Sequence, residues 1–289
     1  MQKVRFFVVG GSGAYSQDLS PLGKGIGVEE VNTPFGKAGP VHILDLEGVR
    51  IGFLSRHGEK GYSITAPFVN YRANIWAAKE LGTERVLSWT GPGAINPKYR
   101  PGDYVIPDDL LDFTKSRPFT FFENTGLGFI RQNPVFCPSL RKGLILEAKK
   151  ASSRVHIGGT YACTEGPRLE TPAEVRFLKK AGADIVGMTL VPEVFLSREL
   201  EMCYASICYI TNYAEGIKVL PYRKGELFEG TLPQREKARV DRALTRIPSI
   251  LSRVILDLAC IRKPCPCPEA MLRYKIRGDI GEDWRKWRR

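Results

Sequence analysis

Residues 157–188 read IGGTYACTEGPRLETPAEVRFLKKAGADIVGM, and their pattern decides the fold class. Ile157 to Cys163 is a short run rich in β-formers and is expected to be a strand. Thr171-Pro172-Ala173-Glu174 is a helix start. Thr sits at the N-cap, Pro occupies the first helical position, and Glu three residues on closes a capping box. That helix is expected to run to Ala181 and to stop at Gly182. Asp184 to Met188 follows as another strand. Strand, capped helix, strand is the unit of a parallel sheet.

The same alternation extends in both directions. Val4 to Val9 is expected to form a buried strand ending at Gly10-Gly11-Ser12-Gly13. Val41–Leu46 and Ile51–Ser55 are expected to pair as a hairpin through Glu47-Gly48. Val69 to Leu81 repeats Val69, Ala73, Trp76, Ala77 and Leu81 at helical spacing and stops at Gly82. Arg85–Trp89 is the next strand, and Leu140–Ala148 an amphipathic helix. Pro192 opens a helix, Cys203–Thr211 is a strand, and 236–259 forms a last helical stretch. The expectation is one α/β domain over 1–261, with a central mixed, largely parallel sheet flanked by helices. A basic C-terminal extension follows over 262–289. It carries nine Lys/Arg against four Asp/Glu from residue 261 onward and is read as a solvated surface segment.

Composition sets outer limits. With 43% hydrophobic and 26% charged residues in 289, there is enough apolar surface for a core, and disorder is excluded as the main state. The formal charge of +12 attracts anions, nucleic acid and phosphate-bearing small molecules alike. The seven cysteines are odd in number and show no disulfide framework. The opening apolar run is too short for a signal peptide or membrane span, so the reducing cytoplasm is the expected compartment. Cys265-Pro266-Cys267 offers two metal ligands of the four a structural zinc site needs. With no partner pair evident, no metal is expected.

Ligands of open α/β sheets bind beyond the carboxyl ends of the strands. There this chain delivers Gly10-Gly11-Ser12-Gly13, Arg56-His57-Gly58, Thr90-Gly91-Pro92-Gly93, Met188-Thr189 and Thr211-Asn212-Tyr213. Glycine admits close backbone approach, hydroxyls donate hydrogen bonds, and Arg offers a fork matched to phosphate oxygens. The set suits a small tetrahedral anion. It lacks the third glycine and the acidic residue of a dinucleotide site, and there is no Walker-type Gly-Lys-Ser/Thr. Each element alone has a plainer reading: a tight turn at the glycines, a surface pair at Arg56-His57, a helix cap at Thr189. His42 and His156 read as strand residues without a role.

Taken together, Gly10–Gly13, Thr33-Pro34-Phe35-Gly36, Arg56-His57-Gly58, Val69–Asn74, Pro101-Gly102-Asp103, Gly166–Thr171, Gly182-Ala183-Asp184, Gly187-Met188-Thr189, Val191-Pro192-Glu193 and Thr211-Asn212 resemble, in order, the trimeric purine nucleoside and methylthioadenosine phosphorylases. The resemblance spans roughly 4–255 and leaves out 262–289. It implies phosphate contacts from Ser12, Arg56, His57, Thr90, Gly91 and Thr189. It also implies Met188 beneath the ribose, and the base held by Glu170, Asn212, Tyr213 and Ala214. The expected catalytic residues are Asn212, Glu170 and His57, the last orienting phosphate. Inorganic phosphate is a co-substrate, no cofactor is expected, and the assembly is a trimer or a dimer of trimers. Membrane and nucleic acid are not expected partners.

Adenine-type relatives carry Asp-Tyr-Asp where this chain has Asn212-Tyr213-Ala214, whereas Glu170 matches the oxopurine type. The resemblance therefore implies a 6-oxopurine nucleoside such as inosine or guanosine. Methylthioinosine or methylthioadenosine are the alternatives, and a non-catalytic nucleoside or nucleic-acid binder is a more distant one. The segment Gly58–Tyr62 lacks the second His of many bacterial relatives. Leu169 stands where Phe often stacks near the base, and Pro92 stiffens the phosphate loop.

Overall fold

The computed structural model describes residues 3–218, 224–227, 231–261 and 264–288. Arg262, Lys263 and Arg289 of the basic segment lie outside the described residues. The first strand, β1 (Phe6–Gly10), is buried throughout, as an unbroken apolar run requires when both sheet faces are covered. After it come β2 (Lys24–Glu29), the small hairpin of β3 (Asn32–Thr33) and β4 (Gly36–Lys37), then β5 (Val41–Leu46) and β6 (Val49–Ser55). Glu47 and Gly48 join β5 to β6 with φ of 52° and 82°, the left-handed pair a tight two-residue hairpin turn demands. Helix α1 (Tyr71–Glu80) begins under the Asn70 side chain, which accepts from Ala73 N. It ends before Gly82.

Strands β7 (Arg85–Thr90), β8 (Gly93–Ala94), β9 (Tyr104–Ile106) and β10 (Asp109–Phe113) lead to α2 (Pro138–Ala151). The single strand expected over Ile157–Cys163 is two, β11 (Val155–Ile157) and β12 (Thr160–Thr164). Gly158 and Gly159, at φ of 89° and 128°, turn the chain out of one sheet and into another, a path only glycine takes without strain. Helix α3 (Pro172–Lys180) carries the expected capping box: Thr171 accepts from Glu174 N, and Glu174 reaches back to the Thr171 N–H. Then follow β13 (Ile185–Gly187), α4 (Leu190–Glu199), β14 (Cys203–Tyr209), β15 (Asn212–Tyr213), α5 (Gln234–Ala259) and the short α6 (Leu272–Arg277). Helix α4 starts two residues before Pro192, with Val191 in extended backbone, where a following proline pushes it.

The strands build an eight-stranded sheet, ordered β11-β9-β14-β7-β1-β6-β5-β2, and a five-stranded sheet, β10-β12-β13-β8-β15. In the large sheet β14, β7, β1 and β6 run parallel, while β2 and β5 close one side antiparallel. Successive residues of β1 feed opposite cores. Phe7 and Val9 pack with Ile75 and Trp76 of α1 and Val194 of α4. Phe6 and Val8 pack with Leu144 of α2 and Ile247 of α5. This two-sided burial is the α/β sandwich the alternating pattern predicts.

The C-terminal segment departs from the expected solvated extension. Met271, Tyr274 and Trp287 are buried in the core that holds Trp76, Trp284 sits edge-on to Trp76 at 4.7 Å, and Arg285 pairs with Glu80. Four apolar anchors outweigh the local charge surplus, since long basic side chains keep their heads in water while their stems pack. Cys265 and Cys267 also have the partner pair that the sequence left out of sight. Their sulfurs lie within 4.8 Å of those of Cys137 and Cys203. No described helix is long and apolar enough to cross a membrane.

Candidate active site

The parallel register brings the carboxyl ends of four strands to one edge. Gly10 stands beside Ser55, and Thr90 beside Cys208. The segments that leave these strands then touch. A Cβ on Gly11 would fall 2.2 Å from the Trp89 carbonyl oxygen and 3.0 Å from Arg56 Nη1, so glycine is required there. Tyr209 Oη donates to the Ser12 carbonyl at 3.0 Å. A Cβ on Gly91 would meet Thr211 Cγ2 at 2.5 Å. The hydroxyls of Thr90 and Thr189 lie 3.1 Å apart, both buried. Thr189 is the N-cap residue of α4, yet its side chain makes no cap bond. Its plainer reading as a cap is thereby overturned. Ser12, Arg56, Thr90, Gly91 and Thr189 thus occupy one neighbourhood.

Arg56 differs from the expectation of an open fork. It is 1% exposed, and Nε and Nη2 donate to the two carboxylate oxygens of Glu193 at 2.6 and 2.7 Å. Nη1 donates to the Trp89 carbonyl at 3.3 Å, and Tyr204 Oη donates to Glu193 at 2.7 Å. Burial works against the guanidinium charge, and the Glu193 carboxylate more than offsets it. An anion at this edge would meet Arg56 through Nη1, with its bidentate face already taken. The signal for Glu193 was present in the sequence: one carboxylate inside the apolar run Leu190–Leu196 has to be paired when buried.

His57 is buried as well. Nδ1 donates to the Ile64 carbonyl at 2.8 Å, Tyr62 stacks on the ring at 4.1 Å, and Nε2 is buried with no hydrogen-bond partner among the described residues. Burial, and then the Arg56 charge, push its pKa down to about 3. The imidazole is therefore neutral, with an Nε2 lone pair free to accept from a hydroxyl of phosphate or sugar. Between about 6.5 and about 3 the unfolded chain binds a proton that folded His57 refuses. Its contribution to stability is full above that window and is lost as pH falls through it. Glu199, pushed by burial up to about 7, acts with the opposite sign, losing its contribution as pH rises. His57→Gln is therefore expected to flatten the acid-side loss of stability relative to the parent chain, measured by urea unfolding between pH 6.5 and 4.5. An unchanged slope would remove the neutral-histidine assignment.

Beyond Thr189 the chain leads to the second half of the site. Gly166, at φ of 71°, lies so close to Met188 that a Cβ would come 2.5 Å from its sulfur. Arg117 is buried and donates to the carbonyls of Met188, Glu165 and Val191 at 2.5, 2.6 and 2.7 Å, which fixes this turn. Nothing in the surrounding Pro/Ser/Phe-rich sequence marks Arg117 in advance. Glu170 accepts from Thr164 Oγ1. It takes no part in capping α3, which Thr171 and Glu174 accomplish.

On β15, Asn212 stands opposite Gly93 of β8, and β8 is the single strand between β15 and β13. Roughly 10 Å of sheet thus separates Asn212 from the backbone leading into Met188. Thr211 Oγ1 donates to Asn212 Oδ1 at 2.7 Å, and Asn212 Nδ2 donates to the Tyr213 carbonyl at 2.9 Å. The amide is thereby oriented, with one N–H and one lone pair left over. Tyr213 turns its hydroxyl toward α5. Its hydroxyl reaches Glu236 of α5 at 3.4 Å and its ring lies under Lys218. Ala214 is buried among Ile95, Val186 and Leu178, so it supplies a wall and no polar group. Two surface clefts, one around Asp108, Phe136 and Arg141 and one around Leu127, Ile280 and Trp287, share none of these residues.

Glycine-rich strand ends, the buried Arg56 and the paired Thr90 and Thr189 hydroxyls thus gather beside the segment that carries Met188, an arrangement that suits a small anion. The phosphorylase superfamily model matches residues 5–255, and the chain belongs to that family. Over 285 residues it is 42% identical to a probable 6-oxopurine nucleoside phosphorylase of Thermococcus kodakarensis, covering 96% of this chain and 99% of the relative. It is 39% identical over 264 residues to a probable S-methyl-5'-thioinosine phosphorylase of Methanothermobacter thermautotrophicus, covering 91% and 88%. Among solved structures, a methylthioadenosine phosphorylase from an antarctic soil metagenomic library superposes with a TM-score of 0.80 at 27% identity, covering 93% of this chain and 91% of that one.

Proposed function

We propose that the chain is a purine nucleoside phosphorylase that cleaves 6-oxopurine nucleosides, inosine and guanosine, to free base and ribose 1-phosphate. The observation that carries this is the continuity of the two half-sites. Thr189, whose hydroxyl pairs with that of Thr90, follows Met188 directly. Thr164 Oγ1 donates to Glu170 and reaches the Gly187 carbonyl at 3.4 Å, and β15 with Asn212 is separated from β13 by β8 alone. The bond from C1′ to N9 breaks as phosphate oxygen bonds to C1′ from the opposite face. Negative charge gathers on the leaving purine as N7 takes up a proton from solvent; Asn212 donates its free N–H to O6 and accepts from the N7–H so formed, and Glu170 accepts from N1–H. Positioning and fixed dipoles supply most of the rate.

Neutral His57 accepts a hydrogen bond from a phosphate or sugar hydroxyl through Nε2, and the backbone of Gly11 and Gly91 cradles the anion. No metal or organic cofactor takes part. The working assembly is a trimer or a dimer of trimers in the cytoplasm. Phe68, 77% exposed on the turn after the His57 loop, offers a neighbouring subunit an apolar contact close to the site. A second reading, methylthioinosine phosphorolysis, is favoured by Tyr62 stacking on His57, which presents an aromatic surface where a second His would be polar.

The decisive experiment is a phosphate-dependent screen of inosine, guanosine, methylthioinosine, adenosine and methylthioadenosine. The expected result is base release with the oxopurine ribosides, dependent on phosphate. Faster turnover of methylthioinosine would select the second reading, and release without phosphate would overturn both.

A further inference from the structure

Cys137, Cys203, Cys265 and Cys267 form a cluster that phosphorolysis does not use. All four thiols are free. Their Sγ atoms lie within 4.8 Å of one another, with Cys203 and Cys265 at 3.5 Å. Cys137, Cys203 and Cys267 are buried. Three separate parts of the chain supply them. Cys137 precedes α2 and donates its N–H to the Tyr204 carbonyl at 2.8 Å; Cys203 opens β14 and donates its N–H to the Glu84 carbonyl at 3.0 Å. Cys265 and Cys267 flank Pro266 on the segment after α5.

Six mutual distances of at most 4.8 Å are compatible with four ligands around one ion. Four thiolates at about 2.3 Å from one zinc ion stand roughly 3.8 Å apart. Nothing in ordinary packing calls for this arrangement, because thiols are weak donors and weak acceptors and gain little from one another. A disulfide would need only two sulfurs, at about 2.05 Å. An iron–sulfur cluster has to fit several irons and sulfides between its ligands, and this spacing leaves room for one ion. Soft thiolates select zinc-class ions over magnesium or calcium.

We propose that Cys137, Cys203, Cys265 and Cys267 hold one zinc-class divalent cation, which fastens segment 264–288 to the domain. Binding forms four metal–sulfur bonds and releases the thiol protons to solvent without change of oxidation state. Four protein ligands close the coordination sphere, which marks a structural site. Cys203 lies six residues before Tyr209 along β14, roughly 20 Å by strand rise, so the ion stands at the far end of the strand that leads into the active site. Its effect is on the anchoring of Met271, Tyr274 and Trp287.

The full chain, purified under reducing conditions with zinc present and no chelator, is expected to carry about one zinc per chain by mass spectrometry. Replacing the metal with Co(II) is expected to give the intense sulfur-to-metal charge-transfer band and the visible absorption of a tetrahedral thiolate site. Cys265→Ser/Cys267→Ser abolishes both signals, whereas Cys260→Ser, at an exposed cysteine outside the cluster, keeps them. Stripping the metal lowers Tm and speeds amide exchange across 264–288, while kcat/KM stays within about two-fold, as a closed structural site implies. Should the cysteine variants fail to fold, the Co(II) spectrum of the parent chain decides. A metal content below about 0.1 per chain after reconstitution overturns the proposal. It is equally overturned by fewer than seven reactive thiols in the denatured metal-free chain, since the sequence holds seven cysteines and a deficit means disulfides.

Discussion

Replacing Arg56 with alanine is expected to lower kcat/KM for phosphate by about 10²–10³-fold, the range for losing one preorganised donor at a charged centre. The structure adds a second effect. Glu193 lies 2% exposed and is held by the Arg56 fork and the Tyr204 hydroxyl. Without Arg56 its carboxylate is left buried beside a single neutral donor. Breaking a buried pair in this way costs about 3–5 kcal/mol, so the variant should also melt well below the parent chain. The two effects separate in the double variant Arg56→Ala/Glu193→Ala, which removes the orphaned charge. Its Tm is expected to recover toward that of the parent, while phosphate turnover stays low. Steady-state kinetics with varied phosphate, paired with thermal melts, reads both. Unchanged phosphate dependence in the single variant would take Arg56 out of the site. Recovery of turnover in the double variant would show that Arg56 acts only by neutralising Glu193.

The Arg56–Glu193 pair also shows where sequence reading stops. Arg56 follows directly from its place after a buried strand, because ligands gather at carboxyl ends. Its partner is 137 residues away, and only the fold brings α4 against β6. Local chemistry was fully legible. The capping box at Thr171–Glu174, the two-residue turn at Glu47-Gly48 and the stop at Gly82 each depend on neighbours within a few residues. What eluded it depends on distance. Ile157–Cys163 looks like one strand because alternation does not reveal that Gly158-Gly159 changes sheets. Segment 264–288 looks solvated because its charges are counted along the chain, while Met271, Tyr274 and Trp287 are scattered apolar positions that pack into a core built by distant elements. Cys265-Pro266-Cys267 looks incomplete because Cys137 and Cys203 come from other elements. Tyr213 belongs to a matching motif, but α5 claims its side chain through Glu236.

Exchanging Asn212 for aspartate is expected to shift the ratio of inosine to adenosine kcat/KM by on the order of 10³ toward adenosine, since mismatched buried polarity discriminates strongly. The groups around the amide set this effect. Oδ1 accepts from Thr211 Oγ1, and Nδ2 donates to the Tyr213 carbonyl. An aspartate at 212 keeps the first bond and turns the second into oxygen facing oxygen at 2.9 Å. The new carboxylate either rotates toward the base or takes up a proton. As an anion it accepts from an amino group at position 6 and repels O6, so inosine loses its donor and meets a like charge. Ala214 is the other position at which adenine-type relatives carry an acid, but it packs among Ile95, Val175 and Val186. A carboxylate there would burden the core before it touched a base. Asn212→Asp alone therefore isolates base choice from stability. Parallel assays of inosine and adenosine at saturating phosphate, with a melt of the variant, read the result. If inosine preference survives in a variant that melts normally, Asn212 does not face the six-position of the purine, and Glu170 is left as the sole candidate for reading it.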